Sequence, residues 1–169
     1  MIGRRGAWLL VTLLTASACA GREPASVLKQ FDIGLHRLQA STPLEWEFLD
    51  QGAQKRFRKG ESEIVLLSLG PATRTDLDQL ADWGLAALTP RNDDRRQIKS
   101  KQKVMVDNRE AVDVETWNRL DHTWPQRLLF VPDGDYLVVL HTPRLADAET
   151  VKAFEAIRAS LHFAESARR

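Results

Sequence analysis

Several short segments of the chain alternate between apolar and polar residues, which predicts strands with one face in a core and one in water. The clearest is 44–48, where Leu, Trp and Phe alternate with two glutamates. A second, 31–38, is followed by the breaker Ser41-Thr42-Pro43, and a more polar one, 53–59, lies between two glycine turns. We therefore expect this part of the chain to form strands joined by short turns.

Two further segments are apolar at almost every position, namely Ile64–Leu69 and Tyr136–His141. Strands of this kind are typical of the middle of a sheet that is covered on both faces. A charge placed within them, as in Leu66→Asp or Val139→Asp, is expected to prevent folding because it would be buried without a partner.

Apolar residues at helical spacing predict two helices. The first follows Thr75, whose spacing to Asp78 is that of a capping box, and its apolar stripe runs from Leu77 to Leu88. Asp147 is the expected N-cap of the second. The expected buried stripe of this second helix is Val151, Phe154, Ile157 and Leu161.

The region between the helices predicts a hairpin formed by 97–106 and 110–117. A three-residue loop, Asp107-Asn108-Arg109, would place Lys103 opposite Asp113 and Lys101 opposite Glu115, and opposite charges across a strand pair are favourable. A two-residue turn at Asp107-Asn108 would instead place Lys103 opposite Val112. We expect the three-residue loop. A loop at 118–123, a strand at 127–131 and a turn at 132–135 follow.

The order of these elements, strands, helix, strands, helix, with hairpin-length links, predicts an α+β fold: an antiparallel sheet with helices packed on it. Four segments, together with their order, resemble bacterial lipoproteins built on the PsbP-like α/β/α sandwich. The segments are Leu66–Pro71, Val106–Val112, Phe130–Tyr136 and Phe154–Leu161. The resemblance spans residues 31–163 and implies an accessory or binding protein rather than an enzyme. It carries no functional residue over to this chain, since the fold has no shared active-site motif.

The N-terminus has the layout of a secretory signal peptide. Arg4 and Arg5 precede an apolar run, which is followed by small residues up to Cys19. The run is about 12 residues long, too short for a transmembrane helix, which needs roughly 20. Cleavage before Cys19, cleavage before Gly21 and lipoprotein processing all fit this pattern.

Cys19 is the only cysteine in the chain, and an exported protein with a single thiol has no disulfide partner. Ser17-Ala18-Cys19 resembles the lipobox, in which the cysteine receives a diacylglycerol group and becomes the new N-terminus. We therefore predict a lipid on Cys19, with Ala20 implying the outer membrane rather than the inner one. The predicted division is a signal peptide at 1–18, a lipidated tether at 19–30, one domain at 31–163 and a tail at 164–169.

Composition and motifs argue against several classes of function. The 24 basic and 23 acidic side chains nearly balance, which together with export argues against a nucleic-acid partner. His36, His122, His141 and His162 lack metal-ligand spacing, and the chain has no Gly-x-Ser-x-Gly or phosphate-loop motif. We predict no cofactor, no metal and no catalytic residue.

The function we expect is that of a non-catalytic, lipid-anchored envelope protein that binds a partner protein. The alternatives are a carrier of a small apolar ligand, held between the helix at 77–88 and the sheet, and an uncharacterised hydrolase.

Two features are candidates for an interaction surface. Lys99, Lys101 and Lys103 alternate along one predicted strand, where they would form a basic strip for anionic headgroups or an acidic partner. Lysines also protect edge strands against aggregation, which is the alternative explanation. Trp117 and Trp124 flank the 118–123 loop and either form a recognition surface or close the loop onto the core.

Overall fold

A computed structural model describes residues 26–33, 36–70, 76–88, 96–118, 125–143 and 147–164. The predicted signal peptide, Cys19, Thr75, His122 and Trp124 lie outside these ranges. The elements in chain order are β1 (Ser26–Ile33), β2 (His36–Pro43), β3 (Glu47–Gln51), β4 (Gln54–Lys59), β5 (Ser62–Leu69), α1 (Leu77–Leu88), β6 (Arg96–Val106), β7 (Arg109–Asn118), β8 (Gln126–Asp133), β9 (Tyr136–His141), α2 (Ala148–Ser160) and β10 (His162–Phe163).

The strands form two antiparallel sheets. The large sheet has seven strands in the order β3-β4-β5-β9-β8-β7-β6, and the small sheet has three in the order β1-β2-β10. Strands β5 and β9 pair inside the large sheet, and Leu66 and Val139 within them are completely buried. The prediction of two strands covered on both faces is therefore confirmed.

The two helices pack on opposite faces of the large sheet. On one face, Leu80 and Ala81 of α1 join a cluster that includes Phe130 and Val139. On the other face, Phe154 and Ile157 of α2 join a cluster that also contains the buried side chains of the small sheet. We call these the α1 face and the α2 face. The α+β class, with antiparallel sheets and two helices, is confirmed, and β10 follows α2 as an additional short strand.

The N-cap residue of α2 is the one that the sequence predicts, whereas the N-cap residue of α1 is a different one. The Asp147 carboxylate accepts the Thr150 N–H at 2.7 Å, as expected of an N-cap. Thr150, through its side chain first and its N–H second, lowers the pKa of Asp147. At α1 the cap is Asp76, whose carboxylate accepts the Gln79 N–H at 2.9 Å. Val151, expected in the buried stripe of α2, is partly exposed, and Thr150 and Ala153 are buried there instead.

The single strand predicted at 31–38 is wrong. The chain reverses after Ile33, and β1 pairs with β2 so that Phe31 lies opposite Leu38. Alternation alone could not show the reversal, because apolar residues before and after it face the same core. Strand β1 begins at Ser26, so the folded part includes some of the segment predicted as a tether.

The predicted three-residue hairpin loop is also wrong. Asp107 and Asn108 both have positive φ, +48° and +62°, and form a two-residue turn that pairs Val106 with Arg109. Turns of this left-handed kind match the twist of the flanking strands, and Asp and Asn tolerate the conformation. Lys103 therefore lies opposite Val112, and Lys101 lies opposite Val114.

Candidate functional site

An open cleft of about 350 Å³ lies between α2 and the turn that joins β2 to β3. Pro43, Leu44, Glu45 and Trp46 form one wall, Glu149, Lys152, Ala153 and Ala156 form the other, and Lys59 lies between them. The volume is at the lower end of the range of small-molecule sites, and it is large enough for one or two side chains of a partner.

A tight turn shapes the first wall, so the strand predicted at 44–48 is wrong for its first part, and β3 begins only at Glu47. The Trp46 N–H donates to the Pro43 carbonyl at 2.9 Å, which closes a four-residue turn. The turn buries the Trp46 side chain, while Leu44 at its tip stays 56% exposed. On the facing wall, Ala153 and Ala156 are three residues apart on α2, and their small side chains leave the cleft open. The cleft is thus mainly apolar, with charged groups at its margin.

Lys59 joins the two walls of the cleft. Its ammonium group donates to Glu149 of α2 and to Glu45 of the turn. The bond to Glu149, followed by the bond to Glu45, raises the pKa of Lys59, and Lys59 in turn lowers the pKa of Glu45. A lysine held protonated in this way cannot act as a nucleophile or a general base near neutral pH. Its role here is to fix the turn against α2.

The lysines predicted as a basic strip do not share one face. A bulge between Ile98 and Ser100 shifts the register of β6, so the alternation is broken at Lys99. Lys99 donates to Glu115 at 2.7 Å, and its ammonium lies 5.8 Å from the ring centroid of half-buried Trp117. Trp117 therefore lies beside Lys99, whereas its expected companion Trp124 lies outside the described residues.

The side chains of Lys101 and Lys103 lie beside α1 and contact its aspartates. Lys101 donates to Asp82 at 2.9 Å and to the Asp78 carbonyl at 3.2 Å. Burial would lower the pKa of Lys101, but the nearby carboxylates, Asp82 first, outweigh it and raise this pKa. Lys103 is 3.8 Å from the Asp78 carboxylate. The carboxylate partners of Lys101 and Lys103 therefore belong to α1, whereas the predicted register placed them on β7; only Lys99 has its partner, Glu115, on β7.

A buried ion cluster, which the sequence interpretation missed, joins α2 to the large sheet. The Asp113 carboxylate is only 3% exposed and accepts from Arg127 and Arg158, both at 2.7 Å. Glu155 also accepts from Arg127, at 2.8 Å, and is 3.2 Å from Arg158. The only available signal is an aspartate between two valines, Val112 and Val114, and the sequence pattern predicts it as a cross-strand partner of Lys103.

The turn between β6 and β7 also binds the C-terminal strand, β10. The Asp107 carboxylate accepts the Phe163 N–H at 2.7 Å and lies 2.9 Å from Nδ1 of His162. Burial opposes the charge on Asp107, but the Phe163 bond and then His162 outweigh it, so the pKa of Asp107 is lowered. Arg109 lies over the Phe163 ring, 4.5 Å from its centroid.

Neither a metal centre nor a membrane span is found within the part of the chain that the structure describes. Its histidines, cysteines and carboxylates include no group of three that could hold a metal ion. None of its helices is both long enough and apolar enough to cross a bilayer.

Comparison with known proteins agrees on the fold. No family model and no curated protein matches the sequence significantly. Among solved structures, the chain is similar to cyanobacterial PsbP (CyanoP) from Synechocystis, with a TM-score of 0.57 and 18% identity over 88% of this chain and 99% of that one. It is also similar to a protein from Bacteroides thetaiotaomicron, with a TM-score of 0.52 and 13% identity over 78% of this chain and 47% of that one. At these identities the similarity shows a PsbP-like fold.

Proposed function

We propose that this chain is a non-catalytic, lipid-anchored accessory protein of the bacterial cell envelope, which binds a partner protein through the cleft between α2 and the 43–46 turn. The observation that carries the proposal is the make-up of this cleft. Its walls are apolar and recessed, and Lys59 forms an ion pair with each of them. Preformed apolar recesses with a polar margin are typical of sites that receive an anchor side chain from a partner.

The ionic contacts of the described residues support binding over catalysis. Lys59 is occupied by two glutamates, Asp113 by two arginines and Lys101 by two aspartates of α1. Each of these groups connects separate elements of the fold. Catalytic acids and bases instead converge on open space within reach of a substrate.

The proposal includes the envelope location. Cys19 is lipidated, the domain is held at the outer membrane facing the periplasm, and the layering is the α/β/α sandwich of PsbP-like domains. Mass spectrometry of the mature protein tests the anchor directly: we expect a thioether-linked diacylglycerol on Cys19. An unmodified N-terminus at Cys19 or Gly21 would contradict the anchor.

The alternative, a carrier of an apolar ligand between α1 and the large sheet, has less support. A Cβ atom added to Gly84 of α1 would lie 2.7 Å from the Phe130 ring and 2.8 Å from Leu137. The helix is therefore in direct contact with the sheet at the place where such a ligand would have to lie.

Photocrosslinking tests the partner site. A benzophenone amino acid at Ala156, which is exposed and lines the cleft, should give one discrete adduct in intact cells. The matched control is Ala86, an alanine that is also exposed and that lies on α1 at the opposite face of the sheet. Leu44→Lys, which places a charge at the cleft, should abolish the Ala156 adduct. Equal adducts from Ala156 and Ala86, or an Ala156 adduct that survives Leu44→Lys, would contradict the proposed site.

A further inference from the structure

Three apolar side chains project from the end of the domain where β1 begins. Val27 is 47% exposed, Leu28 is 62% exposed and Leu44 is 56% exposed. Only two other large apolar side chains among the described residues are exposed in the same sense, Ile98 and Met105, and both lie on β6. We call Val27, Leu28 and Leu44 the tip patch.

The pairing of the small sheet places the three residues of the tip patch at one end of the domain, with Val27 and Leu28, as successive residues of a strand, on opposite faces of that sheet. Ser26 lies opposite Pro43, and Val27 and Leu28 lie opposite the two residues before it. Leu44 directly follows Pro43. The start of β1 and the cleft turn are therefore neighbours, and the patch borders the cleft.

The position of the predicted anchor decides what the tip patch meets, and this step rests on the proposed lipid at Cys19. Six residues lie between Cys19 and Ser26, and the seven steps along the chain from one to the other span at most about 25 Å. The end of the domain that carries the patch is thus the end held at the bilayer. Tethering also raises the local concentration of membrane, so that contacts too weak to act alone become populated.

We propose that the tip patch inserts into the bilayer interface and sets the orientation of the anchored domain. Aliphatic side chains at the polar–apolar boundary of a membrane are stabilised in proportion to the apolar area that leaves water. Lys59 is bound to both acidic groups beside the patch, Glu45 and Glu149, and offsets one of their two negative charges. In this orientation the cleft opens beside the membrane, within reach of a membrane-bound partner.

The test replaces the natural anchor with an artificial one, so it does not depend on lipidation of Cys19. Residues 26–169 carry an N-terminal hexahistidine tail in place of the preceding residues, which removes the only cysteine. All the contacts described above lie within residues 26–164. Single cysteines at Leu28, Leu44 or Met105 then carry a polarity-sensitive dye, and the protein is bound to vesicles of phosphatidylcholine with nickel-chelating lipid.

Met105 is the matched control. It is 64% exposed, and it lies two residues before Asp107, whose side chain binds the Phe163 N–H. Phe163 pairs with Leu38, five residues from Pro43 along β2 and hence roughly 17 Å from the tip. Binding to vesicles should shift the emission of dyes at positions 28 and 44 to shorter wavelength and leave the dye at 105 unchanged.

Two results would overturn the inference: no shift at positions 28 and 44, or an equal shift at all three. If mass spectrometry finds no lipid on Cys19 while the dyes at 28 and 44 respond, the anchor fails and the membrane-binding patch stands.

Discussion

The buried ion cluster gives the sharpest test of how α2 is held on the large sheet. Asp113→Asn keeps the shape of the side chain and removes its charge, leaving Arg127 and Arg158 with Glu155 as their only carboxylate partner within the cluster. Glu155→Gln is the matched control, since it removes a charge from the same two arginines at a position that is 38% exposed, against 3% for Asp113.

The magnitude follows from burial. Breaking a fully buried ion pair costs about 3–5 kcal/mol, because the remaining charge is buried without a partner. Here the side chains of Arg127 and Arg158 are 17% and 28% exposed, and Glu155 continues to offset their charge. We therefore expect Asp113→Asn to lower the free energy of unfolding by about 2–3 kcal/mol. Glu155→Gln should lower it by about 1 kcal/mol or less, as for a partly exposed pair.

Urea denaturation followed by circular dichroism measures both variants. Repeating the measurement in 1 M NaCl distinguishes the buried carboxylate from the partly exposed one, because salt screens the contribution of Glu155 far more than that of Asp113. A loss for Asp113→Asn no larger than that for Glu155→Gln would refute the reasoning, since burial would then not set the strength of the cluster. The same conclusion would follow if salt removed the Asp113 effect.

Three further predictions concern packing, pH and the lysines of β6. Gly84→Val should lower the free energy of unfolding by about 1–3 kcal/mol, since α1 must move away from the sheet to admit the side chain; thermal denaturation measures this. The folded-state pKa of Asp107 lies below its ordinary value of 3.8, so its stabilisation is present above that pH and is lost as the pH falls through the folded pKa. In acid titrations Asp107→Asn should therefore be less stable than the wild type at neutral pH and equal to it in strong acid. A double-mutant cycle on Lys101 and Asp82 should show about 0.2–1 kcal/mol of coupling, and a cycle on Lys101 and Glu115 should show none.

The elements that the sequence predicted well are those whose signal is local. Apolar runs identified β5 and β9, and a carboxylate before a helical stripe identified the start of α2, because burial and capping both act within a few residues. The predicted length of the hairpin loop after Val106 was wrong because two local preferences competed. The left-handed tendency of Asp107 and Asn108 prevailed over the opposite charges that a longer loop would have paired.

The candidate site could not be predicted, because its parts are distant in sequence. The walls of the cleft come from 43–46 and from α2, and Lys59 reaches Glu149 across 90 positions. The bulge at Lys99 has no distinctive residue pattern, although it removes Lys99 from the face that Lys101 and Lys103 share. Likewise, the burial of Asp113 depends on Arg158, 45 residues away, which only the docking of α2 brings into contact.

The way in which the cleft is assembled has a consequence for the timing of its appearance. One wall belongs to the first strands, the other belongs to the last helix, and β10 completes the small sheet beside β2. A chain that is still emerging from a ribosome or a translocation channel has the first wall without the second. The cleft exists only after the C-terminal helix has emerged and docked. A partner that recognises the cleft therefore binds the fully folded protein and does not bind the nascent chain.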